Sequence, residues 1–173
     1  NDTEVALHGY RPGSFAGKPP VPDIDTNIGY RIHSLQCLAS AINAEKEGFD
    51  AVVLANIGNP MISELRSVLN IPVIGYGETA FHMSRLYGRR FGLVFFNAQR
   101  REGWLEAIRA MGLQDSFAGL SPAGILYPDA ARALNDPRER GPIIERVVRT
   151  IEKLVKDCAA DVIIPGEMPL TLL

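Results

Sequence analysis

Thiols are scarce in this chain of 173 residues: Cys37 and Cys158 are the full set, too few for a disulfide framework. No stretch approaches the roughly 18 consecutive apolar residues of a membrane span. No charged-then-apolar leader is visible, so nothing marks the chain for secretion, and the cytoplasm is the expected location. The formal charge of −2 carries no basic excess, which argues against nucleic acid or an anionic membrane surface as partner. Neither a G-x-S-x-G elbow nor a P-loop lysine is present. His8, His33 and His82 are scattered; His33 and Cys37 share a helix face at i, i+4, but no third ligand joins them, so no metal is expected.

What remains is an ordinary globular composition, 46% apolar and 22% charged. The length suits one domain or two small lobes with a real core. The chain opens on Asn1-Asp2-Thr3 without Met and stops on the uncapped apolar pair Leu172-Leu173. The expectation is a chain incomplete at both ends.

Short apolar runs alternate with longer amphipathic segments. Strands are expected at Glu4 to Leu7, Ala51 to Leu54, Ile71 to Ile74, Phe91 to Phe96, Phe117 to Leu120 and Asp161 to Ile164. Helices are expected at Gly29 to Glu47, Pro60 to Leu69, Glu78 to Tyr87, Gln99 to Met111 and Pro137 to Ala159. In the first helix Ile32, Leu35, Cys37, Leu38 and Ile42 form the apolar side; in the last, Ile144, Val147, Val148, Ile151, Leu154 and Val155 face inward. Residues Arg11 to Asn27, rich in Pro and Gly, read as a long loop of the kind that often serves function. No element is assigned between Leu120 and Pro137. The alternation predicts an α/β fold with a parallel sheet and helices on both faces.

Two segments echo each other. Asp50-Ala-Val-Val-Leu-Ala-Asn56 and Asp161-Val-Ile-Ile-Pro-Gly-Glu167 each start with Asp, cross a four-residue apolar strand and end on a polar residue six positions on. Ligands of open α/β sheets bind beyond the carboxyl ends of the strands, which is where Asn56 and Glu167 fall. Any two parallel strands of one protein look similar at this scale, so the pattern alone leaves a shared site and simple strand likeness equally open.

The same residues carry a resemblance. Ala55-Asn56-Ile57-Gly58-Asn59-Pro60 is similar to the Ala-Cys-Phe-Gly-Asp-Pro strand end of hydantoin and allantoin racemases. Pro72 to Met83 resembles their next strand and helix, and Arg90 to Val94 the start of the following strand. Asp161 to Leu170 is similar to their second active-site strand, Asp-Ala-Ile-Val-Leu-Gly-Cys-Ala-Gly-Met. The chain thus resembles the aspartate/glutamate racemase superfamily, nearest to hydantoin racemases. That resemblance implies two pseudo-symmetric parallel-sheet lobes with the active site in the cleft between them. The lobes would be residues 1–97, lacking the first strand and Asn-Pro-Asn-Thr turn of relatives, and 98–173, truncated after the second active-site strand. It also implies a dimer or larger homo-oligomer, a small-molecule substrate and no cofactor.

The departures sharpen the chemistry. Both cysteine positions are substituted, by Asn56 and Glu167. An amide takes no proton near neutrality, so two-thiol racemisation is not expected. One carboxylate still serves as general acid or base. Burial of Glu167 among Pro165, Met168 and Pro169 would raise its pKa toward neutrality. Asn56 would donate to a developing oxyanion, a role worth about 10²–10³ in rate. The expected function is cofactor-independent one-base proton transfer (isomerisation, decarboxylation or elimination) on a small carbonyl, carboxylate or cyclic amide. The alternatives are a hydrolase in which Glu167 activates water, and a non-catalytic ligand-binding member. The plain readings are a surface carboxylate for Glu167 and a helix cap for Asn56. Capping suits Asn59 better, directly before Pro60. Substrate contacts are expected from Gly58, Asn59, Tyr76, Asn97, Met168 and Tyr30. The Thr pair that holds substrate in relatives aligns with Phe95 and Phe96, which points to a more apolar ligand.

Other features take plainer readings. Gly75-Tyr76-Gly77-Glu78-Thr79-Ala80 fits G-x-G-x-x-A, but the acidic residue due about 20 positions on is missing. It reads instead as a tight turn whose helix N-terminus would face an anion, with Glu78 suiting the helix dipole. Cys37 and Cys158 read as small apolar core residues, and His82 as a half-buried, satisfied histidine. Tyr10, Arg11, Tyr30 and Arg31 flank the long loop, where a surface Arg is the usual outcome and an Arg that clamps a substrate carboxylate is the alternative.

Overall fold

A six-residue apolar run organises the architecture. In the computed structural model, which describes residues 3–8, 26–96 and 101–171, Phe91–Phe95 forms the central strand β3 of a parallel sheet. The elements before it are α1 (Asn27–Glu47), β1 (Val52–Leu54), α2 (Ile62–Val68), β2 (Val73–Gly75) and α3 (Tyr76–Ser84). Those after it are α4 (Arg101–Ala110), β4 (Phe117–Pro122), α5 (Tyr127–Asn135), α6 (Arg140–Cys158) and β5 (Val162–Pro165). Single 3-10 turns occupy Gln114–Ser116, Pro137–Glu139 and Met168–Thr171. The sheet order is β4-β3-β5, with both neighbours parallel to β3; β1 and β2 pair in a two-stranded sheet.

Successive side chains of a strand point to opposite faces, and β3 is buried on both. Phe91, Leu93 and Phe95 enter a cluster with Phe81 of α3, Ile108 of α4, Leu120 and Ile164. Val94 and the following Phe96 enter another with Ala130 and Ala133 of α5 and Ile143 and Leu154 of α6. The expected α/β fold, parallel with helices on both faces, is what forms. A bulge between Phe91 and Gly92 takes up one extra residue of β4.

The chain divides into two compact units, Asn1–Val52 with Pro60–Val73, and Val53–Asn59 with Ile74–Leu173. In the first, α1 packs on α2. Thr26 Oγ1 caps α1 by accepting from Gly29 N–H at 3.0 Å, and Gly48, at φ 89°, ends it in the left-handed conformation. Glu45 Oε1 accepts from Asn70 N–H at 2.6 Å. The second unit holds the β4-β3-β5 sheet and both clusters. The expected lobe boundary at 97/98 lies outside the described residues. The ladder crosses it, because β3 before it pairs with β4 and β5 beyond it.

Several expectations are corrected. Glu4 to Leu7 is not a strand; Val5 and Leu7 are 75% and 94% exposed, and a strand needs a hydrogen-bonding neighbour that these residues lack among the described residues. The segment after β4, left unassigned above, contains α5, whose start carries Pro128 in its first turn. In α6 the buried line runs through Ile143 and Leu154, flanked by Val147 and Ile151, whereas Ile144, Val148 and Val155 are exposed. The apolar stripe is wider than the face that packs. The same holds in α1, where His33, Ser34 and Ala41 are buried and Ile32 and Leu35 exposed. His82 is exposed rather than half-buried, one position past the inward Phe81. Most of the loop expected at Arg11 to Asn27 lies outside the described residues. Among the described residues, no helix is long and apolar enough to cross a membrane.

Leu93 is fully buried at the centre of the sheet. Leu93→Ala is expected to lower unfolding free energy by about 2–5 kcal/mol, the usual range for a cavity of this kind, as measured by urea denaturation.

Candidate active site

The two echoing strands end where the repeat places them: Asn56 lies two residues beyond β1 and Glu167 two beyond β5. Both are half-buried, and both accept a hydrogen bond from a backbone N–H. Asn56 Oδ1 accepts from Gly58 N–H at 2.8 Å, closing a local side-chain turn. Its carbonyl accepts from Asn59 N–H at 3.0 Å. The amide oxygen is thereby used within the turn, and Nδ2 is the Asn56 group suited to donate to a ligand.

Glu167 reaches further. Its Oε2 accepts from Phe96 N–H at 3.0 Å, across 71 positions of sequence. A backbone donor to a carboxylate is a charge-assisted bond, so the acid has more polar company than its apolar sequence neighbours indicated. The preceding residues are equally held. Gly166 N–H donates to Val94 O at 2.7 Å, and a Cβ on Gly166 would run into the Phe95 ring. Leu170 N–H donates to Glu167 O at 3.0 Å.

Between these strand ends stands the first turn of α3. Asn59, at φ 46° and 6% exposed, turns its Oδ1 to accept from Gly77 N–H at 3.0 Å and Glu78 N–H at 3.2 Å. Asn59 was expected to cap the helix after Pro60; it caps α3 instead, while Met61, at the N-cap of α2, offers no side-chain cap. The α3 N-terminus was expected to face an anion. Its leading amides are occupied by the Asn59 oxygen, an intramolecular substitute for such an anion. Gly77 is required here because a Cβ would fall inside the contact distance of Ile57 O. Tyr76, one residue earlier, donates from its hydroxyl to Pro165 O at 2.8 Å. Burial pushes the Tyr76 phenol up from its ordinary value, and the charge of Glu167 pushes it further the same way.

The structure therefore joins Asn56, Gly58, Asn59, Tyr76 and Glu167 through short links within one unit. Met168, 40% exposed, opens the 3-10 turn after Glu167. Asn97, Tyr10 and Arg11 lie outside the described residues. Tyr30, half-buried on α1 with its ring 5.9 Å from that of His33, belongs to the other unit, as does the exposed Arg31. Phe95 and Phe96 are both buried, at 2% and 3% exposure. Phe95 stacks on Trp104 at 5.3 Å and Phe96 points into the opposite cluster, because neighbours on a strand alternate. Cys37 Sγ lies 3.7 Å from His33 Nε2, and burial pushes its thiol up; Cys158 packs against the α5–α6 side of the sheet. Sequence reasoning missed the Phe96 N–H, since a backbone donor leaves no trace in residue type. It also missed Asp161 Oδ2, which accepts from Arg89 and Arg90 N–H at 2.9 and 3.1 Å and secures the far end of β5.

A sequence model described as Asp/Glu/hydantoin racemase matches residues 14–171. A hydantoin racemase of Pseudomonas sp. (strain NS671) is 27% identical over 84 residues, 47% of this chain and 34% of that protein. The allantoin racemase of Klebsiella pneumoniae superposes with a TM-score of 0.75 at 23% identity, covering 87% of this chain and 59% of that one. The allantoin racemase of Pseudomonas fluorescens gives 0.63 at 22% identity, covering 79% and 58%. The chain thus spans about a third to three fifths of the length of these relatives.

Two outcomes test the site's framework. Asn59→Ala removes the α3 cap and forces Ala to a positive φ, so it should lose about 1–2 kcal/mol in urea unfolding, and Asn59→Gly less. A raised folded pKa means that the stability Tyr76 confers is complete below the ordinary phenol value of about 10 and is lost as pH climbs through and above it. Alkaline titration at 295 nm should include a phenol that ionises later than free tyrosine, and Tyr76→Phe should remove that contribution.

Proposed function

The chain belongs to the Asp/Glu/hydantoin racemase family, and from that premise we propose that it supports cofactor-independent, one-base proton transfer on a small cyclic amide or related carbonyl compound. The observation that carries the reading is the fixed carboxylate. Glu167 stands beyond β5, half-buried and oriented by Phe96 N–H, the position from which a parallel sheet presents reactive groups. In this reading Glu167 removes a proton from the carbon beside the substrate carbonyl and returns it to the same face. Asn56 Nδ2 donates to the enolate oxygen as charge develops. The relatives named above are racemases, hence isomerases, and their names make hydantoins and allantoin the first compounds to try. Asn56 provides no second base, so exchange should outrun inversion. A cytoplasmic setting, with assembly as a dimer or larger homo-oligomer, completes the proposal.

The test follows an optically pure 5-substituted hydantoin, or allantoin, in heavy water. Deuterium should enter the stereogenic carbon faster than optical rotation decays, both measured against buffer alone. Glu167→Gln should slow that entry by about 10²–10⁴-fold, the usual worth of a positioned base. Rotation lost as fast as deuterium enters, or full exchange in Glu167→Gln, overturns the proposal.

A further inference from the structure

The contacts around β5 assign a role to a side chain outside the acid–amide pair. We propose that Tyr76 is a positioning residue, whose hydroxyl latches the Pro165 carbonyl to the start of α3 and so fixes the direction of the Glu167 carboxylate. The hydroxyl donates to Pro165 O at 2.8 Å across 89 positions of sequence. Pro165 has no N–H to donate, so its carbonyl is the backbone group by which another element holds it. The latch has a firm base. Tyr76 begins α3 directly after β2, and the next two amides are bound by the buried Asn59 oxygen. Its ring packs against the cluster containing Phe81, Phe91 and Phe95.

The latch is one of three restraints on three consecutive residues. Tyr76 holds Pro165, Val94 O holds Gly166 N–H, and Phe96 N–H holds the Glu167 carboxylate. The second and third come from Val94 in β3 and from Phe96 directly after it, and act at Gly166 and Glu167; Tyr76 acts from a different element on the residue before them. Without the phenol oxygen the β3 contacts remain, but the strand end loses its tie to α3. The hydroxyl is also a steady donor. Burial and the Glu167 charge both favour its protonated form, so Tyr76 is unsuited to act as the second base that Asn56 fails to supply.

The experiment compares the 173-residue chain with its Tyr76→Phe variant. The first readout is amide hydrogen exchange by NMR, with the Leu154 amide of α6 as the reference for global opening. Exchange of the Phe96 amide should accelerate by about tenfold, the scale of one hydrogen bond, while Leu154 stays unchanged. The second readout is deuterium entry into substrate, where kcat should fall about tenfold and KM stay within about twofold, as expected of a misaimed base. Only this second part rests on Glu167 being the base. A wild-type chain inert toward substrate sinks the functional reading and leaves the exchange result to decide the latch. Unchanged Phe96 exchange, or acceleration shared equally with Leu154, overturns the latch. If Tyr76→Phe does not fold, 4-fluorophenylalanine at position 76 serves instead, since its fluorine fills part of the hydroxyl's space without donating to Pro165 O: faster Phe96 exchange at unchanged Leu154 exchange supports the latch, and no change refutes it.

Discussion

The Asn59 carboxamide oxygen, bound by the amides of Gly77 and Glu78, is the interaction on which the candidate site depends. A helix begins with N–H groups that lack intrahelical partners. Here the partner comes from the turn after β1, in a residue held at positive φ and almost fully buried. Asparagine suits both demands, since it tolerates the left-handed conformation and carries a short acceptor. Gly77 completes the joint by letting the Ile57 carbonyl approach where a Cβ would collide. The turn bearing Asn56 and the first turn of α3 are thus one structural piece, and Tyr76 extends it to the end of β5.

The acid is held by the sheet itself. β3 commits Phe91, Leu93 and Phe95 to one face, and Val94 with the following Phe96 to the other, which leaves the backbone at its carboxyl end for polar work. Phe96 shows the division within one residue: its ring is buried in the α5–α6 cluster while its N–H orients Glu167. Hydroxyl side chains at Phe95 and Phe96 would have placed donors in the core; aromatic ones fill it. The polarity of the candidate site therefore comes from main-chain amides, the carboxamides of Asn56 and Asn59, the Tyr76 hydroxyl and the Glu167 carboxylate.

Legibility followed physical range. The strand run Phe91–Phe95 was readable because burial on both faces writes a continuous apolar run into the sequence, and Val52–Leu54 and Val73–Gly75 were readable from short β-branched runs even though Val53 and Ile74 are exposed. The echo from Asp50 to Asn56 and from Asp161 to Glu167 was readable because equal strands place their ends at equal spacing. The α5 helix was not, since its buried contacts are the small residues Ala130 and Ala133, which make a faint apolar signal. The inward line of α6 was misread because Ile144, Val148 and Val155 repeat at helical spacing as regularly as the residues that pack.

The sequence by itself determined the alternation of strands and helices, the likeness to the racemase family and the two polar residues beyond matching strands, because each of these is written in local spacing and residue type. Tertiary structure decided what those residues hold. Asn59 caps α3 rather than the helix beside it, Tyr76 grips Pro165, Glu167 takes its direction from Phe96 N–H, and the phenylalanines beside it are spent on the core. Each of these partners lies 18 to 89 positions away or is a backbone group, and only folding determines which distant amide or carbonyl arrives within 3 Å of a given side chain.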